Sequence, residues 1–186
     1  MLPDSLPQRF YPMDTPHPQS LQRSIPCAIL TVSDTRTKAT DKSGQLIQST
    51  LQHLQHQVVH YQIVPDEFEQ IEAALISLGA RPDCQVILLT GGTGISPRDC
   101  TCDVVEKLLE KTLPGFGEVF RALSYQEVGS RAIASRSMAG VYRGKLIFAL
   151  PGSEAGVKLA LEKLILPELL HLTAQLGSPL IDLGAI

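Results

Sequence analysis

The chain has 186 residues, 44% hydrophobic and 19% charged, with 16 Lys+Arg against 19 Asp+Glu and a formal net charge of -3. That balance describes an ordinary globular protein and excludes a dedicated nucleic-acid binder, which needs a basic excess to displace the counterions of the phosphate backbone. One domain of this length buries about 70% of its unfolded surface, so a core needs no disulfide or metal staple.

The four cysteines (Cys27, Cys84, Cys100 and Cys102) form no Cys-x-x-Cys pair and read as reduced thiols of a cytoplasmic protein. No apolar run reaches the roughly 18 residues of a membrane span, and no basic region followed by an apolar core opens the chain. The sequence therefore points to neither export nor a membrane partner.

Residues 1–24 carry Pro3, Pro7, Pro12, Pro16 and Pro18 among polar residues, without helical or strand periodicity, and read as a Pro-rich disordered arm. A single α/β domain is expected over 25–178, followed by a tail over 179–186. Cys27–Val32 is a short apolar run, as a strand buried on both faces should be. Leu46, Ile47, Leu51 and Leu54 recur at helical spacing within 42–55, with Asp41 or Ser43 placed to cap the start. Val58–Val64 reads as a strand, Phe68–Leu78 as a helix stopped by Gly79, and Val86–Thr90 as the most apolar strand.

Helices are then expected over Asp103–Lys111, capped by Thr101, and over Phe116–Glu127. Strands are expected at Ala139–Tyr142 and Leu146–Leu150, and a last helix from Glu154 to Leu176 interrupted by Pro167. Strands alternating with helices predict an α/β protein with a mostly parallel sheet and right-handed crossovers.

In such sheets ligands bind beyond the carboxyl ends of the strands, so the loops there are where chemistry is expected. Four of them are rich in polar residues: Ser33-Asp34-Thr35-Arg36, Pro65-Asp66-Glu67, Gly91–Thr101 and Pro151-Gly152-Ser153. Gly91, Gly92, Thr93 and Gly94 allow backbone N–H groups to approach an anion, the outline of a phosphate cradle; a tight turn using glycine for positive φ is the other reading. The loop is neither a P-loop nor G-x-G-x-x-G, which disfavours a hydride-transferring dinucleotide enzyme and a bound redox cofactor.

Asp66 and Asp99 would give a magnesium ion hard oxygen ligands beside that cradle, while each singly reads equally well as a turn or cap residue. Arg36, Arg98 and Arg136 are candidate phosphate contacts or surface ion pairs, and Ser153 is a helix cap or an anion ligand. Cys100 and Cys102 lack nearby ligand partners. His53, His56 and His60 read as a solvated helix end rather than a zinc site. No G-x-S-x-G pattern marks a nucleophile.

Taken together, ILTVSDTR (Ile29–Arg36), DKSG (Asp41–Gly44), VPDE (Val64–Glu67), LLTGGTGISPRDCTCD (Leu88–Asp103), the stretch from Leu113 to Gly140 that opens PGFGE, and ALPGSEAG (Ala149–Gly156) resemble the MoaB/MogA family of molybdenum cofactor biosynthesis proteins, relatives of the gephyrin G domain. The resemblance spans about Cys27 to Leu176 and lies closer to the MoaB branch, with Cys102-Asp103 where the family commonly has Pro-Glu.

It implies a three-layer αβα sandwich with a mostly parallel central sheet, a molybdopterin-binding domain that assembles as a homotrimer or homohexamer. It also implies that MgATP adenylylates the terminal phosphate of molybdopterin and releases pyrophosphate, ahead of a molybdenum-insertion enzyme. By the same resemblance Asp66 and Asp99 are the catalytic and magnesium-positioning carboxylates. Gly91, Gly92, Thr93, Gly94, Arg98, Ser33, Asp34, Ser135, Arg136, Gly152 and Ser153 then bind substrate and phosphate. A non-catalytic molybdopterin-binding or scaffold protein of the same pathway is the alternative.

Overall fold

The computed structural model describes residues 23–177 and 181–182. Of the predicted arm (1–24) and tail (179–186), only Arg23–Ser24 (β1) and Ile181–Asp182 (β8) fall within the described residues, and they pair as a two-stranded antiparallel ladder.

The main sheet has six strands in the order β3-β2-β4-β7-β6-β5. Four of them, β3 (Gln57–Val64), β2 (Pro26–Val32), β4 (Val86–Thr90) and β7 (Lys145–Leu150), run parallel, while β6 (Met138–Tyr142) is antiparallel to β7. β6 and β7 are joined through Arg143 (φ 49) and Gly144 (φ 70). Two successive positive φ values make a hairpin turn whose twist matches that of the flanking strands. β5 (Lys111–Thr112) pairs with β6 where a helix over Asp103–Lys111 was expected; α3 (Thr101–Leu108) ends earlier.

Strand periodicity divides the core. Cys27, Ile29, Val86, Leu88, Leu146 and Phe148 face α1 (Lys42–His53), α4 (Pro114–Val128), α5 (Glu154–Ala160) and α6 (Leu166–Gln175). Ala28, Leu30, Ile87, Leu89 and Ile147 face α2 (Phe68–Ala80) and α3. Because successive side chains point to opposite faces, an unbroken apolar strand requires helices on both sides. The predicted three layers follow.

Three local expectations change. Gly79 does not stop its helix, which runs through Ala80; a Cβ there would run into the Tyr142 ring, so glycine serves close packing on β6. Thr101 is the first residue of α3 rather than its cap, and its hydroxyl donates to Gly91 O at 2.8 Å. The break at Pro167 appears as a π-helical turn over Leu161–Ile165. Proline lacks an N–H and crowds the carbonyl four residues back, and the wider turn accommodates both. Of the two candidate caps on α1, Asp41 is the one, accepting from Gly44 N at 3.0 Å.

Candidate functional site

Parallel strands place the ends of β3, β2, β4 and β7 on one edge, and β2 lies where the chain reverses direction across the sheet, since β3 pairs to one side of it and β4 to the other. The loop after β4 lies at that switch point. Gly91 (φ +101) and Gly92 (φ +63) adopt left-handed conformations, and a Cβ on Gly92 would lie 2.9 Å from both carboxylate oxygens of Asp66. Only glycine allows the backbone that conformation with a carboxylate packed against it.

The loop is tied on all sides. Gly91 N donates to Leu150 O at 3.2 Å, Thr90 Oγ1 to Pro151 O at 2.8 Å, Thr101 N to Gly92 O at 3.1 Å and Arg136 N to Thr93 O at 3.0 Å. Such bonds hold the segment in one geometry, as preorganised recognition of an anion requires.

Asp66 follows β3 and Asp99 lies late in the glycine loop, so the two carboxylates flank Gly92–Gly94: a Cβ on Gly94 would lie 2.7 Å from Asp99 Oδ2. Asp66 Oδ1 accepts from Cys100 N and Cys100 Sγ, both at 3.4 Å. Burial, and then the charges of Asp99 and Asp34, push the Asp66 carboxyl above its ordinary range despite those donors. Asp99 Oδ2 accepts from Ser96 N at 2.8 Å, the loop-cap role that the sequence also allowed it. Asp66 and Asp99 offer hard oxygen donors beside the glycine loop, a donor set that fits a magnesium ion, whose charge would offset the push of Asp99 on the Asp66 carboxyl.

The cleft beside this loop has a volume of about 440 Å³. Of the predicted residues, Gly92, Thr93, Gly94, Asp99, Ser135, Gly152 and Ser153 line it. Ser153 takes the helix-cap role of the two expected of it, since its Oγ accepts from Gly156 N at 3.2 Å at the start of α5. Gly91 sits beneath the cleft as a tie point, and Asp66 meets the loop from the side facing Cys100.

Ser33, Asp34, Arg98 and Arg136 do not line the cleft. Ser33 Oγ accepts from Thr35 N and Arg36 N and closes the turn after β2. Asp34 pairs with Arg98 at 3.0 Å and accepts from Asp66 N at 3.1 Å, bracing the loop that carries Asp66. Arg136 spends its fork on Gly94 O (2.7 Å), Asp103 Oδ1 (2.8 Å) and Asp99 O. Arg36 grips Asp41 and Gly152 O. Each of these arginines ties at least one loop in place.

Cys100 donates to Asp66, and its thiol is pushed up to about 11, by burial and then by that hydrogen bond and charge. Cys102 donates to Arg136 O at 3.1 Å. His56 Nδ1 accepts from Ile25 N at 3.2 Å, and burial holds its pKa below the usual range.

Sequence reading missed the opposite wall, formed by Phe120, Ser124, Glu127, Val128, Arg131 and Ala132 of α4 and the 3-10 turn Gly129–Ala134. Their polar members recur every three or four residues, a helical stripe, but nothing local says that this stripe meets the glycine loop.

A family profile described as "Probable molybdopterin binding domain" matches residues 28–171, which spans every strand and loop that builds the site. The chain belongs to this family. Its similarity to molybdenum cofactor biosynthesis protein B of Halalkalibacterium halodurans is 50% identity over 161 residues, covering 86% of this chain and 95% of that protein. Among solved structures, a molybdenum cofactor biosynthesis protein B is 46% identical with a TM-score of 0.82, covering 84% of this chain and 98% of that one. A tungsten cofactor synthesizing protein, MoaB of Pyrococcus furiosus, is 38% identical with a TM-score of 0.75, covering 83% and 98%. Among the described residues of this family member, no helix is long and apolar enough to cross a membrane.

Proposed function

We propose that this molybdopterin-binding family member binds molybdopterin in the cleft and transfers the adenylyl group of ATP to its terminal phosphate. The observation that carries the reading is the pair of carboxylates, Asp66 and Asp99, on either side of Gly92–Gly94, with Asp66 held above its ordinary range by burial and by its acidic neighbours. A surface that only bound ligand would have no need of two mutually repelling carboxylates beside an anion cradle.

The reaction needs no protein nucleophile. An oxygen of the molybdopterin phosphate attacks the α-phosphorus of ATP, the new P–O bond forms, the bond to the β-phosphate oxygen breaks, and pyrophosphate leaves with the electron pair. Backbone N–H groups of Gly92, Thr93 and Gly94 orient the phosphates, while the Gly91 N–H, spent on Leu150 O, joins Arg136 and Thr101 in keeping the loop rigid, so catalysis comes from alignment and preorganised electrostatics. Asp66 and Asp99 would hold magnesium, which supplies charge neutralisation of the phosphates. Assembly as a homotrimer or homohexamer and transfer of product to a molybdenum-insertion enzyme belong to the same proposal.

Pyrophosphate and adenylyl-molybdopterin are followed with the parent, Asp66→Asn and Asp99→Asn. Product from the parent, reduced about 100-fold or more in either variant, is expected. A parent that binds molybdopterin but releases no pyrophosphate would instead be a binding or scaffold protein.

A further inference from the structure

The wall of the cleft facing the glycine loop carries three polar side chains that the adenylyl-transfer chemistry does not use: Ser124, Glu127 and Arg131. Glu127 and Arg131 are exposed, and among the described residues neither has a hydrogen-bond or ion-pair partner. They stand four positions apart, the spacing at which a glutamate and an arginine would pair along a continuous helix. The helix ends between them, however, at Gly129 (φ 63, ψ -144), and the chain turns into the 3-10 segment. Two opposite charges thus line one cleft without satisfying each other.

Beside them the lining is apolar, with Phe120, Val128, Ala132 and Leu159, a floor suited to the face of a planar ring. One end of the cleft therefore suits phosphate and the other a polar heterocycle.

We infer, resting on the functional reading above, that Glu127 and Arg131 recognise the edge of a 2-amino-4-oxopyrimidine ring, the pterin half of the ligand. A carboxylate accepts only, so it calls for two adjacent donors, which such a ring supplies as N3–H and the 2-amino group. A guanidinium donates only, and the 4-oxo oxygen answers it. Adenine presents one donor beside one acceptor and cannot satisfy a carboxylate with both. The pair thereby separates the two substrates, directing the pterin to this wall and leaving the nucleotide to the carboxylate side.

The test uses the fluorescence of pterin and of lumazine, which carries an oxygen in place of the 2-amino group, titrated with the full chain. The parent is expected to prefer pterin by about tenfold, the value of a hydrogen bond to a charged partner. Glu127→Gln should remove most of that preference, and Arg131→Ala should weaken both ligands about equally, because both keep the 4-oxo group. In the coupled assay Glu127→Gln should raise the KM for molybdopterin about tenfold and leave kcat and the KM for ATP unchanged.

A parent that does not distinguish the two rings, or a Glu127→Gln that distinguishes them as the parent does, overturns the inference. If molybdopterin binds parent and Glu127→Gln equally, this inference falls and the functional reading stands. If the parent does not bind molybdopterin at all, both fall.

Discussion

Asp41 and Asp66 both stand in loops at the same edge of the sheet, yet the chain treats their carboxylates in opposite ways. Asp41 is fully buried and saturated: Thr31 Oγ1 donates at 2.5 Å, Tyr61 OH at 2.6 Å, Gly44 N at 3.0 Å and Arg36 at 3.3 Å. Burial raises its pKa, but those donors and the guanidinium outweigh it and leave the carboxyl below the usual range. Asp66 has two long contacts from Cys100 and two acidic neighbours, and its pKa moves up. A carboxylate whose lone pairs are all answered by protein fixes structure, whereas one left short of donors beside like charge keeps acceptor capacity that the protein does not use.

The Asp41 cluster also reaches the cleft. Arg36 and Ser43 both donate to Gly152 O, at 3.0 and 2.8 Å, so a structural carboxylate behind α1 sets the position of the loop that carries Ser153.

The strongest way to break this contrast is Asp41→Ala, which leaves the buried Thr31 hydroxyl, the half-buried Tyr61 hydroxyl and Arg36 without their acceptor. A loss of about 3–5 kcal/mol is expected, measured by urea unfolding. The pH dependence has a definite sign. Because the folded pKa of Asp41 is lowered, its contribution is present above the unfolded value of about 3.9 and is lost as the pH falls through the folded value. Asp41→Asn should flatten that acid limb. Asp66 has the reverse sign, since its raised pKa favours the protonated fold and costs stability as the pH rises through it.

Asp66→Asn should therefore keep or slightly raise the melting temperature while lowering turnover about 100-fold; a variant that unfolds instead would erase the distinction between the two aspartates. Gly92→Ala sharpens the comparison at smaller cost. The left-handed φ of +63 and the contact with Asp66 should take about 1–3 kcal/mol of stability and displace the carboxylate, so activity falls further than folding does. Arg98→Ala removes an ion pair whose side chains are 59% and 43% exposed, and thermal unfolding should shift by less than about 1 kcal/mol.

The strands that carry the site were legible because each is a short apolar run flanked by glycine, proline or polar residues, and burial on both faces leaves no other pattern. The glycine loop and both carboxylates were legible for a related reason: they lie at strand ends, where sequence position alone predicts the edge of the sheet. β5 was not, because two exposed residues, Lys111 and Thr112, have no periodicity to read and exist as a strand only by pairing with Gly140 and Val141. Arg36 and Arg136 read as possible phosphate ligands because a guanidinium looks the same in sequence whether its partner is substrate or a carbonyl 116 residues away, as Gly152 O is for Arg36.

By itself, then, the sequence determined the alternation of strands and helices, the glycine-rich loop after β4 and the acidic residues near it. These properties are local, set by side-chain periodicity, glycine content and charge within a few residues. Only the tertiary structure decided which carbonyls and carboxylates the arginines hold, that Asp41 is saturated while Asp66 is not, and that Glu127 and Arg131 line the same cleft as the glycine loop with no partner among the described residues. Those facts depend on which distant segments the packed sheet brings together, and the free energy of a charged group follows its neighbours in space rather than its neighbours in the chain.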